Sequence, residues 1–192
     1  MKRRALISVT DKSGIVELAR ALTQANVEII ATRGTVKELR SAGVEAIDIE
    51  SVTGVGELAG GKVKTLHPSI FAGILFDRDS STEIDEIENA GIAAIDFLVV
   101  NLYRFDERRA ESDIDIGGVA LLRAGAKNHQ HVTVLSHPSQ YDEVIESLPL
   151  GLSAERRREL AGIAFATTMR NEMEISRHFA LPLRYGENPH QQ

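Results

Sequence analysis

Apolar residues alternate along the chain between the spacing of strands and that of helices. Helical spacing is clearest between residues 13 and 26, where Ile15, Leu18, Ala19, Leu22 and Ala25 recur about every 3.6 residues. The predicted helices cover 13–26, 34–43, 81–91, 117–128, 138–148 and 153–180. Short apolar runs predict strands at 4–9, 27–32, 44–49, 95–103 and 131–136. A further apolar run lies at 69–76, and its pattern alone does not distinguish a strand from a helix.

Strands that alternate with helices predict an α/β fold, a three-layer sandwich with a mainly parallel sheet and helices on both faces. Ligands bind such sheets beyond the carboxyl ends of the strands. The sequence therefore directs attention to the residues that follow the strands at 4–9, 27–32 and 95–103.

Composition narrows the classes of protein. The chain has 192 residues, of which 43% are hydrophobic, enough for one domain with a sizeable core. Its formal charge of −6 argues against nucleic-acid binding, so an anion site must be a local basic pocket. The absence of cysteine excludes disulfides and thiolate metal sites. With no 18-residue apolar stretch, the sequence predicts a cytoplasmic protein without a membrane segment.

Two loops that follow strands carry hydroxyl groups just before a helix. The loop SVTDKSG contains Ser8, Thr10 and Lys12, and the loop ATRGT contains Thr32, Gly34 and Thr35. Helix N-termini present free N–H groups and partial positive charge, which suits a phosphate. The alternative is that these side chains only cap their helices. Lys12 favours the anion site, because its charge is unfavourable at that end of a helix.

Three later segments add candidate chemistry. Lys62 and Lys64 are two residues apart, so in an extended chain both would face the same side, with Val63 on the other. Asn101 and Tyr103 end a buried strand, where an amide is placed to contact a ligand. Asp115 precedes two glycines that permit close backbone approach, and Arg123 and Lys127 lie four apart on the following helix. His129 and His131 have no evident carboxylate partner, so no metal site is predicted.

The motifs SVTDKSG, ATRGT, KVKTLHP, NLY, IDIGG, LLRAGAKN and LRYGENPHQ occur in this order along the chain. Together they resemble the N-terminal domain of the bifunctional AICAR transformylase/IMP cyclohydrolase family. The resemblance implies a methylglyoxal-synthase-like fold and closure of formyl-AICAR to IMP with loss of water, without any cofactor. It implies a cyclohydrolase domain over 1–180, and 181–192 resemble the start of the linker and transformylase region. It also implies a purine ribonucleotide as ligand and a homodimer of the full-length protein.

The resemblance also implies roles for individual residues. Lys64 with Tyr103, and Asp115 with Lys127, match the two proton-handling pairs of the family, and the sequence does not say which member is base and which is acid. The matching substrate-binding positions are Ser8, Thr10, Lys12, Thr32, Gly34, Thr35, Lys62, Thr65, Asn101, Gly117 and Gly118.

Three positions depart from the family pattern: Arg33 replaces a small residue, Lys62 replaces an arginine and Phe71 replaces a histidine. Two other functions fit the same fold. A phosphate- or nucleotide-sensing domain would have no reason to keep all four proton-handling residues. A methylglyoxal-synthase-type lyase would not require Tyr103, the IDIGG turn and Lys127 together. We therefore expect the cyclohydrolase activity.

Overall fold

The computed structural model describes residues 3–56, 58–103 and 114–179. One sheet is formed by β1 (Arg4–Ser8), β2 (Glu28–Ala31), β3 (Ile47–Asp48), β4 (Phe97–Val100) and β5 (Thr133–Leu135). The strand order is β3-β2-β1-β4-β5, and every pairing is parallel. The predicted parallel α/β sheet is confirmed.

Eight helices connect and cover the strands in the described part of the chain. They are α1 (Ile15–Gln24), α2 (Arg33–Ser41), α3 (Ile49–Thr53), α4 (Pro68–Leu75), α5 (Ser81–Asn89), α6 (Gly117–Lys127), α7 (Tyr141–Ser147) and α8 (Ala154–Phe179). The short α3 is absent from the sequence prediction, because its residues extend the apolar run of β3 without a helical period of their own.

The apolar run at 69–76 forms most of α4. His67 begins this helix, since its Nδ1 accepts a hydrogen bond from Ser69 N–H at 3.2 Å, and Pro68 occupies the first turn. Proline is favoured there because the first N–H groups of a helix have no partner within it. The Thr-Leu-His-Pro stretch is therefore a helix start.

Both faces of the sheet are buried. Alternation along β1 sends Ala5 and Ile7 into a core shared with α1, α2 and α7, and sends Leu6 into a second core shared with α4, α6 and α8. Residues 97–100 of β4 divide between the two cores in the same way. The molecule is thus the predicted three-layer sandwich.

Parallel pairing brings the ends of β1, β2 and β4 to one edge of the sheet. Ser8 is in register with Val100, and Ile7 is in register with Ala31. Thr32 and Asn101, which directly follow β2 and β4, therefore lie beside the end of β1. No helix in the described residues is long and apolar enough to cross a membrane.

Candidate active site

A cleft of about 740 Å³ lies at the edge of the sheet where β1, β2 and β4 end. All of the predicted site residues except Lys127 line it. Residues that the sequence did not single out complete the lining: Val9, Gly60, Gly61, Ile114 and Ile116. Residues far apart in the chain thus meet at the place expected for a ligand in a parallel sheet.

The loop after β1 does not serve as a side-chain cap. Helix α1 starts from Gly14, which has a φ of 69° and supplies no side-chain hydrogen bond. Asp11 Oδ1 instead accepts hydrogen bonds from Ser13 N–H at 2.9 Å and Ser13 Oγ at 2.6 Å, and these bonds lower the pKa of Asp11. The capping alternative is therefore wrong for this loop, and Thr10 faces the cleft.

Lys12 folds over the same loop and enters the cleft. Its Nζ donates a hydrogen bond to the Val9 carbonyl oxygen at 2.9 Å. Partial burial lowers the pKa of Lys12, and the nearby charge of Lys64 lowers it further, while Glu38 opposes the shift. Two lysines within electrostatic reach of each other form a local basic pocket in a protein whose net charge is negative.

The second loop is held by hydroxyl contacts to the first. Thr35 is fully buried, with its Oγ1 3.5 Å from both the N and O atoms of Val9. Thr32 precedes α2 without capping it through its side chain, and its Oγ1 lies 3.5 Å from Ser8 Oγ. The side chain of Thr32 therefore accepts no hydrogen bond from the first N–H groups of α2. Helix α2 starts at the cleft, since Gly34 and Thr35 line it.

Two of the departures from the family pattern lie outside the cleft. Arg33 Nη2 pairs with Glu50 Oε1 at 3.2 Å, and Arg33 is not among the described residues that line the cleft. Phe71 packs against the core that contains α4, α6 and α8. Neither side chain occupies the space of a ligand.

The segment with Lys62 and Lys64 is a turn, so the prediction of an extended chain is wrong. Ala59, Gly60 and Gly61 all have positive φ, at 51°, 66° and 80°, and Lys62 then has helical angles. This run of left-handed residues bends the backbone, and the alternation of an extended chain is lost. Both lysines nevertheless line the cleft, with Lys64 half-buried and Lys62 exposed.

Asp115 lies at the entrance to α6. Its Oδ1 accepts a hydrogen bond from Gly118 N–H at 2.7 Å. Burial raises the pKa of Asp115 above its usual value, although this hydrogen bond and the nearby Lys64 oppose the rise. A carboxyl group whose pKa is raised by burial and that faces a lysine in a cleft is suited to proton transfer.

The two glycines at the start of α6 are required by close contacts. A Cβ atom on Gly117 would overlap Thr65 Oγ1, and one on Gly118 would overlap Asp115 Oδ2 and approach Leu102 Cδ2 at 2.9 Å. Thr65 is buried. The absence of side chains at these two positions therefore lets Thr65 and Asp115 approach the helix start.

Lys127 is the predicted site residue that the structure does not bring to the cleft. It is exposed and ends α6, ten residues beyond Gly117. At 1.5 Å per residue, about 15 Å of helix separates the two. Helix α6 runs from the carboxyl ends of the strands back toward the end of the sheet where β5 begins. Asp115 and Lys127 therefore lie at opposite ends of the strands.

Asn101 contacts the backbone of the first loop. Its Oδ1 accepts hydrogen bonds from Thr10 N–H at 2.6 Å and Asp11 N–H at 3.0 Å, and its Nδ2 donates to the Asp11 carbonyl at 2.7 Å. Burial raises the pKa of the buried Tyr141 to about 12, and the side chain of Asn101 opposes part of this rise. Sequence reasoning missed Tyr141, because its apolar helix neighbours indicate only a core position.

Two carboxylates approach His131 at the other edge of the sheet. Its Nε2 is 3.4 Å from Asp77 Oδ1 and 3.9 Å from Asp79 Oδ2. These two carboxylates lie on a loop about 50 residues away in the chain, so no local pattern in the sequence reveals them. The three side chains are placed so that they could hold a metal ion, and the expectation that His131 has no carboxylate partner is therefore wrong.

Comparison with known families identifies the fold. A family model described as the MGS-like domain matches residues 14–130. The chain belongs to the MGS-like domain family. A second model, described as the AICARFT/IMPCHase bienzyme, matches residues 125–192. The methylglyoxal-synthase-like fold expected from the motifs is thereby confirmed.

The chain is similar over its whole length to bifunctional purine biosynthesis proteins PurH. The protein from Microcystis aeruginosa is 44% identical, with 100% of this chain and 43% of the relative covered. The protein from Rhizobium meliloti is 41% identical, with coverages of 98% and 40%. The chain thus spans about two fifths of the length of these relatives. A solved structure, "Crystal structure of ForH", has a TM-score of 0.86 and 36% identity over 94% of this chain and 100% of that one.

The start of α6 generates a first prediction. Gly118→Ala should lower the free energy of unfolding by about 1–3 kcal/mol, because the new methyl group displaces Asp115 and Leu102. Gly162→Ala is the matched control, since a Cβ there meets nothing within 4 Å in α8, and it should stabilise the protein by about 0.5–1 kcal/mol. Urea denaturation measures both. Equal stability of the two variants would contradict the close contact.

Proposed function

We propose that this chain is an IMP cyclohydrolase, which closes formyl-AICAR to IMP with loss of water. The observation that carries the proposal is the meeting of Lys64, Tyr103 and Asp115 in one cleft beside the start of α2, which has no side-chain cap. The similarity to PurH proteins over the whole chain supports the same assignment. The chain's cytoplasmic location remains a prediction from its sequence.

The phosphate of the nucleotide fits the side of the cleft formed by the first two loops. The start of α2 lines this side of the cleft at Gly34 and Thr35 and carries the partial positive charge of a helix N-terminus, and Lys12 adds a positive charge. The hydroxyl groups of Ser8, Thr10 and Thr32 supply further donors. The base and its reacting groups then extend toward Lys64, Tyr103 and Asp115.

The reaction forms one C–N bond. The carboxamide nitrogen attacks the formyl carbon and loses a proton, and the formyl oxygen becomes a tetrahedral oxyanion. The C–O bond then breaks, and the oxygen leaves as water with two protons, one from the carboxamide nitrogen and one from the formamido nitrogen, which becomes part of the new C=N bond of the ring. The oxyanion needs N–H donors, which the start of α6 beside Gly117 can offer because the first N–H groups of a helix have no partner within it. Proton transfer requires a base and an acid within hydrogen-bond reach. Lys64, Tyr103 and Asp115 line the same cleft and are the groups available for it.

A nucleotide-sensing domain would use the phosphate side of the cleft alone. It would gain nothing from a carboxyl group whose pKa is raised by burial at the far side. The geometry therefore favours the enzyme over the sensor.

A direct assay tests the proposal. Purified protein is mixed with formyl-AICAR in excess EDTA, without folate, and IMP formation is followed by ultraviolet absorbance. We expect turnover well above the uncatalysed rate. A protein that binds IMP but gives no turnover would instead support the sensing domain, and activity restored only by a divalent ion would exclude the metal-free mechanism.

The two lysines of the turn should differ in their kinetic effect. Lys64 is half-buried near Asp115, whereas Lys62 is exposed at the rim. A group that acts mainly in the transition state lowers kcat when removed, and one that binds substrate uniformly raises KM. Lys64→Ala should lower kcat by roughly 10²-fold or more, and Lys62→Ala should chiefly raise KM, with Lys62→Arg as the conservative control. Identical kinetics for the two alanine variants would refute the assignment.

Removing the charge of Asp115 should separate stability from activity. Its folded pKa is raised, so the stability contributed by its protonated form is lost as pH increases from the usual carboxyl range through the folded pKa. Asp115→Asn keeps an acceptor for Gly118 N–H without this charge. We expect an unchanged or higher Tm and a kcat lower by roughly 10²-fold. A lower Tm with normal kcat would show that the carboxylate is structural.

We also propose that the full-length protein is a homodimer in which Lys127 acts on a second copy of the cleft. In its own chain, Lys127 is about 15 Å of helix away from Gly117. Two α6 helices packed antiparallel about a two-fold axis would bring the end of one beside the start of the other. Exposed apolar side chains of α8, at Phe165 and Met169, flank the outer face of α6 and suit such a contact. The transformylase region would follow from 181–192, which lie outside the described residues.

Mixing two inactive variants tests the shared site. Lys64→Ala and Lys127→Ala subunits, unfolded together and refolded, should recover about a quarter of wild-type activity, because half the dimers are mixed and each has one intact cleft. Mixing two Lys64→Ala preparations is the control and should recover nothing. If Lys127 acted within its own chain, no mixed cleft would be intact and activity would stay absent.

A further inference from the structure

Three side chains of types that ligate metal ions meet at the end of the sheet opposite the cleft. The ligand atoms of Asp77, Asp79 and His131 all lie within 4.8 Å of one another. His131 precedes β5, whose first residue Thr133 is in register with Phe97, the first residue of β4. The group therefore lies where the strands begin, whereas the cleft lies where they end.

The distances within this group suit ligands of one ion better than they suit a hydrogen-bonded ion pair. Nε2 of His131 is 3.4 Å from Asp77 Oδ1 and 3.9 Å from Asp79 Oδ2. A hydrogen bond from a protonated imidazole to a carboxylate would be shorter, at about 2.7–2.9 Å. Two ligands about 2.1 Å from one tetrahedral ion are about 3.4 Å apart. The first distance already has this value, and a small rotation of the exposed Asp79 side chain would shorten the second.

Asn128 joins the two segments that carry the group. Its Nδ2 donates hydrogen bonds to the carbonyl oxygens of Ile74 at 2.7 Å and Phe76 at 3.1 Å, at the end of α4. Its own carbonyl oxygen accepts a hydrogen bond from His131 N–H at 3.0 Å. The loop that starts at Asp77 and the turn that contains His131 are therefore held together by one side chain and its backbone.

Arg78 anchors the loop between the two carboxylates. Its Nη1 donates a hydrogen bond to Asp96 Oδ1 at 2.7 Å, so its positive charge is engaged with Asp96. The backbone N–H of Asp77 donates to Glu83 Oε2 at 2.7 Å, which places a third carboxylate near Asp77 and Asp79. Like charges this close repel one another, and a bound cation would remove the repulsion.

We propose that Asp77, Asp79 and His131 form a site for Zn²⁺, which links the loop between α4 and α5 to the turn between α6 and β5. One imidazole and two carboxylates suit Zn²⁺, whereas Mg²⁺ and Ca²⁺ prefer oxygen ligands alone. Water would complete the coordination, because both carboxylates are exposed. The ion would be structural, since it lies at the opposite end of the strands from the cleft. The inference does not depend on the proposed function.

Calorimetric titration of the untagged protein with Zn²⁺, after removal of metals with EDTA, tests the site. We expect one ion to bind per chain. At a Zn²⁺ concentration about 100 times the dissociation constant, Tm should rise by roughly 5–10 °C. If the two carboxylates only formed ion pairs with a protonated His131, Zn²⁺ would leave Tm unchanged, and the inference would be overturned.

Two alanine variants locate the ion. Asp79→Ala removes one exposed ligand and should weaken Zn²⁺ binding by at least about tenfold. Asp85→Ala is the matched control, because it removes an exposed carboxylate of the neighbouring α5 that does not belong to the group, and it should bind Zn²⁺ as the wild type does. Equal affinity of Asp79→Ala and the wild type would refute the site.

A third variant distinguishes the proposed ligands from a pair of histidines. His129 is two residues from His131, and its Nδ1 lies 3.2 Å from the Ala126 carbonyl oxygen. His129→Gln should therefore leave the affinity for Zn²⁺ unchanged. Weakening by His129→Gln as large as that by Asp79→Ala would show that the assigned ligand set is wrong.

The ring-closing assay separates this inference from the proposed function. Asp79→Ala should keep kcat and KM for formyl-AICAR within about twofold of the wild type, because Asp79 does not line the cleft. Loss of turnover in this variant would contradict a purely structural ion. Failure of the wild-type protein to close the ring would instead refute the proposed function and leave the Zn²⁺ titration standing.

Discussion

Strand β1 hydrogen-bonds in parallel to β2 on one side and to β4 on the other, and the position of every functional loop depends on this pairing. Parallel strands all end at the same edge, so the residues after β1, β2 and β4 are brought together without any further device. The strand is completely buried along Ala5, Leu6 and Ile7, with a packed core on each face. Its register fixes Ser8 beside Val100, and hence the first loop beside Asn101.

The cleft concentrates charge in a protein that is acidic overall. Lys64 lies within electrostatic reach of both Lys12 and Asp115, and burial is the largest influence on the pKa of Lys12 and of Asp115. Burial shifts both pKa values toward the neutral form of the group, which costs stability but brings the proton affinities of acid and base closer together. Ring closure with loss of water requires a proton to leave nitrogen and reach oxygen, so such a pair suits the proposed reaction.

Backbone groups, glycines and buried amides shape the site as much as its charged side chains do. Gly117 and Gly118 let Thr65 and Asp115 approach the start of α6, and Asn101 holds the backbone of the first loop. The glycines act by leaving space free for their neighbours, and Asn101 acts by hydrogen bonding. Their removal would displace the reacting groups by fractions of an ångström to ångströms, and catalysis is sensitive to displacements of this size.

The sequence by itself determined the α/β class, the parallel sheet and nearly all the residues of the cleft. Periodicity reports which faces are buried, and parallel strands leave one place for a ligand, which accounts for the loops after β1, β2 and β4. The site roles of Lys62, Lys64 and Thr65 came from the family resemblance of the motifs. Tertiary structure alone decided four other matters. The positive φ angles of Ala59, Gly60 and Gly61 turned the Lys62–Lys64 segment away from an extended chain. The length of α6 separated Lys127 from Asp115, although the two are close in sequence. Tyr141 approaches Gly14, and two carboxylates approach His131, only through folding, because contacts between distant segments leave no local pattern for the sequence to reveal.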